Sequence, residues 1–382
     1  MTTVPAAYPF IDVRVDTSAL QPIATRAPGV VAVVGRTPDG PAGGDTPPNT
    51  PTVVGSADEA VQRFAQETGG KPAHTPLSRS LAVALLQDPR PERIYGVRVH
   101  GDDWDAALSS LEAADDVTFV ANAPDEGTAG LEVLKDHVEQ MSAQGQKRLG
   151  VAMISPSLPK STTYVADALA SVESLRSDSS RMIVIAARGA NGDAATAAMA
   201  AMAAYPPEAS VVLKRVRGIR MPQPDQYGPG EITALSEAGV IPIIDPALIV
   251  GEGLHMADGR CFTTDASLLF VDTVRTLDDI DFRLKAGLMG SVGDARITSE
   301  GLLAVRERAD SILAPLKRRA MIADYSISIP VLDALQVPES SRSPAAATLI
   351  QTARGSRAVD LVVSVTYGPA VHHLRVTLAP KF

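Results

Sequence analysis

The sequence predicts a protein of the α/β class, with α+β character over the whole chain. Three observations support this prediction: strands and helices alternate through the middle of the chain, isolated apolar strands occur near both ends, and amphipathic helices occupy the last third. Of the 382 residues, 45% are hydrophobic and 21% are charged, a composition typical of a folded protein. A chain of this length can bury a substantial core, in one elaborated domain or in two or three.

The alternation of strands and helices is clearest in residues 111–220. The predicted elements are strands at 117–121, 149–154, 182–187 and 211–216 and helices at 130–141, 163–175 and 194–204. Helices of this length between strands indicate βαβ units and a mainly parallel sheet. This block therefore resembles a Rossmann-like α/β domain in its arrangement.

Two further parts flank the central block. Residues 26–110 are predicted to form an N-terminal α/β part, with strands at 30–34 and 94–99 and helices at 57–64 and 77–86. Residues 221–382 are predicted to form a C-terminal domain, with helices at 231–237, 277–289 and from 300 onward, strands at 240–244 and 359–367, and a terminal hairpin or arm. Ser299 is the predicted N-cap of the last long helix, which Pro315 should kink or interrupt.

A short strand near each end of the chain has the alternating pattern of a half-buried strand and no partner beside it in sequence. The apolar positions are Ile11, Val13 and Val15 in the first strand and Leu374, Val376 and Leu378 in the second. An unpaired strand exposes N–H and C=O groups that can pair with another chain. These six residues are therefore candidates for pairing with another chain, and residues 1–25 are the predicted N-terminal arm.

Charge and cysteine content argue against several functional classes. The net charge of -9 argues against nucleic acid as the main partner, because a phosphate-binding surface needs concentrated positive charge. The one cysteine, Cys261, allows no intramolecular disulfide and no cysteine metal cage, and it is predicted to be a buried small hydrophobe. Because neither a secretory signal nor a membrane-length apolar stretch is visible, we expect synthesis in a cytoplasm and no membrane insertion.

No residue is predicted to be catalytic, to bind a cofactor or to bind a metal ion. Gly251 and Gly253 begin like a dinucleotide-binding fingerprint, but Met256 stands where the third glycine is needed. His372 and His373 are neighbours in a predicted strand, where successive side chains point to opposite faces and cannot readily share one metal ion. Three acidic pairs are expected beside helix starts or turns, where they would favour the positive helix end: residues 102–103, 115–116 and 278–279.

Several segments, in order along the chain, resemble those of contractile tail sheath proteins from phages and related injection systems. Residues 26–41 have the sequence RAPGVVAVVGRTPDGP, in which a Pro-Gly-Val strand ends in Gly-Arg before a Pro- and Gly-rich loop. The other segments are VVGSADEA at 53–60 with Phe64, TPL at 75–77, RIYGVRV at 93–99, LSEAGVIPI at 235–243 and VDTVRTL at 271–277. The tryptophan-containing segment common in such proteins is missing, and GEGLHMADGRC occupies its place at 251–261.

The resemblance implies a structural subunit and not an enzyme. Its partners would be other copies of itself, stacked as rings with six-fold symmetry and joined by strand exchange through the two terminal strands. The further partners would be an inner tail tube, and baseplate and tail terminator or cap proteins. The tube of subunits would shorten without consuming nucleotide, and its place would be a virion tail or an injection particle. Two other hypotheses remain open at this point: a cytoplasmic α/β enzyme or small-ligand binder that uses residues 117–216, and a non-contractile assembly or baseplate component.

Overall fold

The structure is a computed structural model of the chain, and it describes residues 29–38, 43–69, 71–125, 129–246, 249 and 253–372. Two compact units are present. The described residues of the larger unit are 29–282, 315–326 and 363–372, and those of the smaller unit are 283–314 and 327–362. The four-part division expected from the sequence stays a prediction.

The larger unit is built on a nine-stranded mixed sheet. Its strand order is β2-β5-β1-β6-β7-β8-β10-β11-β9, and β3 and β4 form a separate antiparallel pair. The strands are β1 (Val30–Arg36), β2 (Thr52–Val53), β3 (Gln66–Thr68), β4 (Lys71–Ala73), β5 (Arg93–Val99), β6 (Phe119–Asn122), β7 (Leu149–Met153), β8 (Met182–Ala186), β9 (Arg215–Val216), β10 (Val240–Ile244) and β11 (Leu254–Met256). The six central strands, in the spatial order β5-β1-β6-β7-β8-β10, are parallel to their neighbours. At the two edges, β2 pairs antiparallel with β5, β11 with β10, and β9 with β11. The predicted mainly parallel sheet is confirmed.

Eleven α-helices lie in the described part of the chain: α1 (Ala57–Phe64), α2 (Pro76–Leu85), α3 (Trp104–Ser109), α4 (Ala129–Ala143), α5 (Tyr164–Ala170), α6 (Ala194–Ala203), α7 (Pro229–Glu237), α8 (Val271–Leu288), α9 (Ser299–Arg318), α10 (Pro330–Gln336) and α11 (Pro344–Ser356). Local sequence explains several of their starts. Ser56 accepts from the N–H of Glu59 at the start of α1, and Thr75 and Ser78 form a reciprocal capping box before α2.

The central strands are buried on both faces. Residues 30–34 of β1 are each at most 1% exposed, and all five residues of β8 are buried. A parallel sheet covered on both sides needs continuous runs of branched apolar residues, which is why these strands consist mainly of Val, Ile and Ala. Aromatic residues make up only 4% of the chain, so aliphatic side chains fill most of this core.

Helix α6 shows how small side chains replace aromatic ones. All ten of its residues are buried, and it packs against β6, β7 and α2. Alanine allows this close approach of backbones, because each side chain adds a single carbon atom. At its first turn the buried carboxylate of Asp193 accepts from the N–H of Thr196 at 2.9 Å and from Oγ of Ser80 in α2 at 2.6 Å. The cap therefore also ties two helices together.

The smaller unit has its own apolar cluster around helices α10 and α11. The buried members of this cluster are Leu302, Ile329, Val331, Leu332, Ala334, Leu335, Ile350 and Ala353. Near the end of α8, a side chain at Gly287 would collide with Ile312 of α9, while Nε of Arg308 donates to the carbonyl of Gly287 at 3.2 Å. Glycine at this position thus permits a close helix contact.

Four details of the sequence expectations need correction. The helix expected at 163–175 is divided into α5 and a 3-10 turn at Glu173–Leu175, and the strand expected at 211–216 is only the two residues of β9. Thr298, not Ser299, caps α9, because its Oγ1 accepts from the N–H of Gly301 at 3.2 Å. Helix α9 continues through Pro315 to Arg318, so the proline does not interrupt it.

Candidate assembly sheet

A second sheet consists of two strands, β12 (Asp324–Ser328) and β13 (Val362–Thr366). Exposed and half-buried residues alternate strictly along both strands, and neither strand has a fully buried residue. The half-buried positions are Tyr325, Ile327, Val363 and Val365. One face is thus apolar but incompletely covered, and the other carries mainly Ser, Thr and Asp.

A sheet of two strands is marginally stable by itself, and a third strand or a covering layer normally stabilises it. Both strands are edge strands, since the sheet has no interior strand among the residues that the structure describes. Edge strands of this kind accept an additional strand from another segment or another chain. The exposed side chain of Val362, 50% accessible, adds apolar surface at the start of β13.

Local contacts hold the two strands to each other and to the end of α9. The N–H of Ala323 donates to the carbonyl of Thr366 at 2.8 Å, just before β12 begins. Nζ of Lys317 lies 2.6 Å from Oδ1 of Asp324. Lys317 and the N–H of Tyr325 lower the pKa of the Asp324 carboxyl, with the Lys317 hydrogen bond the larger cause. This ion pair is exposed and contributes little to stability.

The segment after β13 is tied back to the main body of the larger unit. The phenol of Tyr367 donates to Oδ2 of Asp272 at 3.0 Å, and burial, reinforced by the Asp272 carboxylate, raises the pKa of Tyr367. Nε2 of His372 lies 2.9 Å from Oγ of Ser210. The six predicted strand-exchange residues lie outside the residues that the structure describes: Ile11, Val13, Val15, Leu374, Val376 and Leu378.

The acidic pairs and the cysteine lie where they have roles in the fold, in a helix cap, an ion pair and the core. Asp103 caps α3 by accepting from the N–H of Ala106 at 3.0 Å, as expected for a helix start. The expectation for residues 278–279 is wrong, because both lie within α8. Asp278 there forms a bidentate ion pair with Arg181, with hydrogen bonds of 2.6 and 3.0 Å. Cys261 is fully buried, which confirms its predicted place, and burial raises the pKa of its thiol to about 12.

A cleft of about 700 Å³ opens at the carboxyl ends of β6, β7 and β8, where α/β folds often bind ligands. Asn122, Ser155 and Asn191 line it, together with the Asp193 carboxyl, which is already engaged by Ser80 and Thr196. No histidine or cysteine is among its described lining residues. Within the described chain no group of three or more His, Cys, Asp or Glu side chains could hold a metal ion.

The sequence matches no family profile and no curated protein. A chain of the six-fold symmetrised anti-feeding prophage baseplate is similar over 100% of both chains, with a TM-score of 0.69 and 13% identity. A chain of the PVC sheath complex, from an extracellular contractile injection system in its contracted state, covers 99% of both chains with a TM-score of 0.70 and 11% identity.

The chain has the contractile sheath fold. A sheath tail protein from Desulfitobacterium hafniense shares this fold at a TM-score of 0.59 and 10% identity, over 84% of this chain and 93% of that one. Sequence reasoning missed β12 because the pentapeptide DYSIS contains only two bulky apolar residues, Tyr325 and Ile327. The alternation of these two apolar residues with polar ones, just after α9, was the signal that could have predicted a strand.

No helix of the described chain is both long enough and apolar enough to cross a membrane.

Proposed function

We propose that this chain is the structural subunit of a contractile sheath. In this proposal it polymerises into a helical tube around an inner tail tube, and contraction of the tube drives that inner tube through a target envelope. The observation that carries the proposal is the likeness of fold over the full chain to chains of contractile injection systems. The subunit works through assembly and conformational change, without a catalytic centre.

The sheet of β12 and β13 is the proposed acceptor for strands donated by neighbouring copies. The half-buried apolar face of the acceptor needs a strand with apolar residues at every second position. Both terminal segments carry this pattern: Ile11, Val13 and Val15 in one, and Leu374, Val376 and Leu378 in the other. Each added strand would fill the open hydrogen-bonding edge of the sheet and cover its apolar side chains.

The proposed partners follow from this role. Other copies of the chain form the stacked rings, with six-fold symmetry as in the symmetrised baseplate of the anti-feeding prophage. The inner tube, the baseplate and a terminator or cap protein would contact the sheath at its inner surface and its two ends. Synthesis and assembly would take place in the host cytoplasm, and the finished sheath would belong to a virion tail or an injection particle.

Electron microscopy of the purified full chain tests the sheath proposal. Tubes with a helical stagger are expected, whereas discrete monomers or dimers at high concentration would contradict it. Deletion of residues 1–18 tests strand exchange in the same assay. We expect a folded, soluble monomer that forms no tubes, with circular dichroism and sedimentation as checks on folding. Normal tubes from this truncated chain would rule out the N-terminal arm as an essential link.

Single substitutions separate strand pairing from a general need for the terminus. Val13→Asp places a charge on the apolar face of the donated strand, and we expect it to abolish tubes. Arg14→Gln changes the adjacent residue on the opposite face and is the matched control, for which normal tubes are expected. Equal effects of the two changes would contradict an alternating, strand-like contact.

A further inference from the structure

The segment that follows β13 is held at two points and free between them. Residues 368–371 are all exposed, and Val371 is 79% accessible. Beneath them lies a hollow of about 310 Å³, lined by Asp258, Arg260 and Thr273 as well as by the segment itself. The segment therefore bridges a gap and does not pack continuously on the surface.

The first point of attachment is Tyr367, at the end of β13. Its phenol donates to Oδ2 of Asp272 at 3.0 Å, and Asp272 is only 3% exposed. Oδ1 of the same carboxylate accepts from the N–H of Thr273 at 2.9 Å, in the first turn of α8. A carboxylate that is fixed in this way is a rigid acceptor, so the contact holds Tyr367 in one position.

The second point of attachment is His372. Its Nε2 lies 2.9 Å from Oγ of Ser210, and its ring meets the ring of Phe270 edge-on, with centroids 5.0 Å apart and an interplanar angle of 79°. Phe270 is in turn covered by the guanidinium of Arg260, 5.8 Å from the ring centroid. A polar contact and a ring contact together fix both the position and the orientation of the histidine.

We propose that Tyr367 and His372 form a two-point clamp that sets the reach of the C-terminal strand toward its acceptor. With the clamp closed, the predicted exchange strand begins at Leu374, two residues beyond His372, and an extended chain spans at most about 3.6 Å per residue. Leu374 must then lie within about 7 Å of His372. If the His372 contact opens, residues 368–372 add five residues and about 18 Å of further reach.

This clamp would limit how far the C-terminal link of the proposed sheath can reach. The idea rests on the proposed function, because the acceptor is taken to be β12 and β13 of another copy. While the clamp holds, the acceptor sheet of the neighbour has to lie close to the surface around Ser210 and Phe270. Tyr367 and His372 are thus positioning residues for strand exchange, and the clamp stays closed in the assembled tube.

Distance measurements between spin labels test the clamp in the soluble full chain. Cysteines are introduced as Leu213→Cys, at a position 50% exposed, and Leu374→Cys. The native Cys261 is fully buried and should not react. We expect one narrow distance distribution, and a broad one that extends by up to about 18 Å in the Tyr367→Phe/His372→Ala double variant. Val371→Ser, on the exposed bridge, is the matched control and should leave the distribution narrow.

A broad distribution in the unsubstituted segment, or the same narrow one in the double variant, would overturn the clamp. Tube formation gives a separate readout. We expect tubes of the double variant to lose helical order, while tubes of Val371→Ser keep it. Tubes of the double variant with unchanged helical order would overturn the role of the clamp in assembly. If the wild-type chain forms no tubes, the proposed function fails, whereas the spin-label result still decides whether the clamp exists.

Discussion

His137 of α4 and Arg148 form a buried pair in which Nη1 of the arginine donates to Nε2 of the histidine at 2.9 Å. Arg148 is fully buried, and its other terminal nitrogen donates to the carbonyls of Leu111 and Ala114 and to the side chain of Gln146. The arginine thus joins the middle of α4 to the loop before β6. Burial, and second the positive charge of Arg148, lower the pKa of His137 to about 4.

This pair predicts an acid-sensitive contribution to stability. Below pH 6.5 the histidine takes up a proton in the unfolded chain, whereas in the folded chain it stays neutral until the pH approaches 4. The contribution of neutral His137 to the free energy of unfolding is therefore fully present above pH 6.5 and is lost as the pH falls toward 4. For a pKa shift of this size, the loss is at most roughly 3 kcal/mol.

Urea unfolding at several pH values between 7 and 4 measures this contribution by comparison with His137→Gln. Glutamine can accept the arginine hydrogen bond but takes up no proton. We expect the wild-type chain to lose stability relative to the variant as the pH falls, while the carboxyl groups affect both chains equally. A difference between the two chains that stays constant over this range would contradict the prediction.

The second prediction concerns Arg275 of α8, which caps the C-terminal end of α6. Its guanidinium donates to the carbonyls of Met202 at 2.9 Å and Tyr205 at 2.8 Å, and the residue is only 5% exposed. Arg275→Met fills much of the space but removes both hydrogen bonds, and the Met202 carbonyl keeps only the longer one from the N–H of Tyr205 at 3.3 Å. The expected cost is about 1 to 3 kcal/mol in the free energy of unfolding. Arg306→Met, at an exposed position of α9, should change it by less than about 0.5 kcal/mol. Similar losses for both variants in urea unfolding would contradict the capping role.

The central sheet could be predicted from sequence because its signals are local. The apolar runs of β7 and β8 and the helical spacing of α4 lie next to one another in the chain, and their alternation specifies parallel pairing. Helix α11 also had a local signal, Ser343 followed by Pro344, since the serine accepts from the N–H of Ala346. The sequence expectations placed no helix between the one that starts at 300 and the strand at 359–367, so α11 was missed.

Other features depend on residues far apart in the chain. The contact of Tyr367 with Asp272 joins positions 95 residues apart, and the contact of Ser80 with Asp193 joins positions 113 apart. No spacing rule predicts such pairs, because they arise only when the sheet has brought distant segments together. The strand-exchange residues, in contrast, were inferred from the alternation of the terminal strands and from the sheath resemblance, and they stay a prediction.

Gly96 in β5 gives a prediction about the core. A Cβ atom at this position would lie 2.5 Å from Cε2 of Phe64 and 2.9 Å from Cδ1 of Leu81, so the ring of Phe64 occupies the space above the strand. Gly96→Val should therefore lower the free energy of unfolding by about 1 to 3 kcal/mol or more, despite the high strand propensity of valine. Gly230→Ala in α7, where nothing lies within 4 Å, is the control and should be neutral or slightly stabilising. Thermal unfolding of both variants checks this, and a fully stable Gly96→Val would mean that Phe64 can move aside.

The last prediction concerns which face of β13 is used in assembly. Val365 is half-buried on the apolar face, whereas Ser364 and Thr366 are exposed on the other. Val365→Thr keeps the shape and the strand propensity of the residue but removes an apolar contact with the donated strand. A loss of about 1.4 kcal/mol per contact would raise the critical concentration for tube formation about ten-fold. Ser364→Thr should leave this concentration unchanged. Sedimentation over a dilution series measures both variants, and an effect of Ser364→Thr without one of Val365→Thr would place the donated strand against the opposite face.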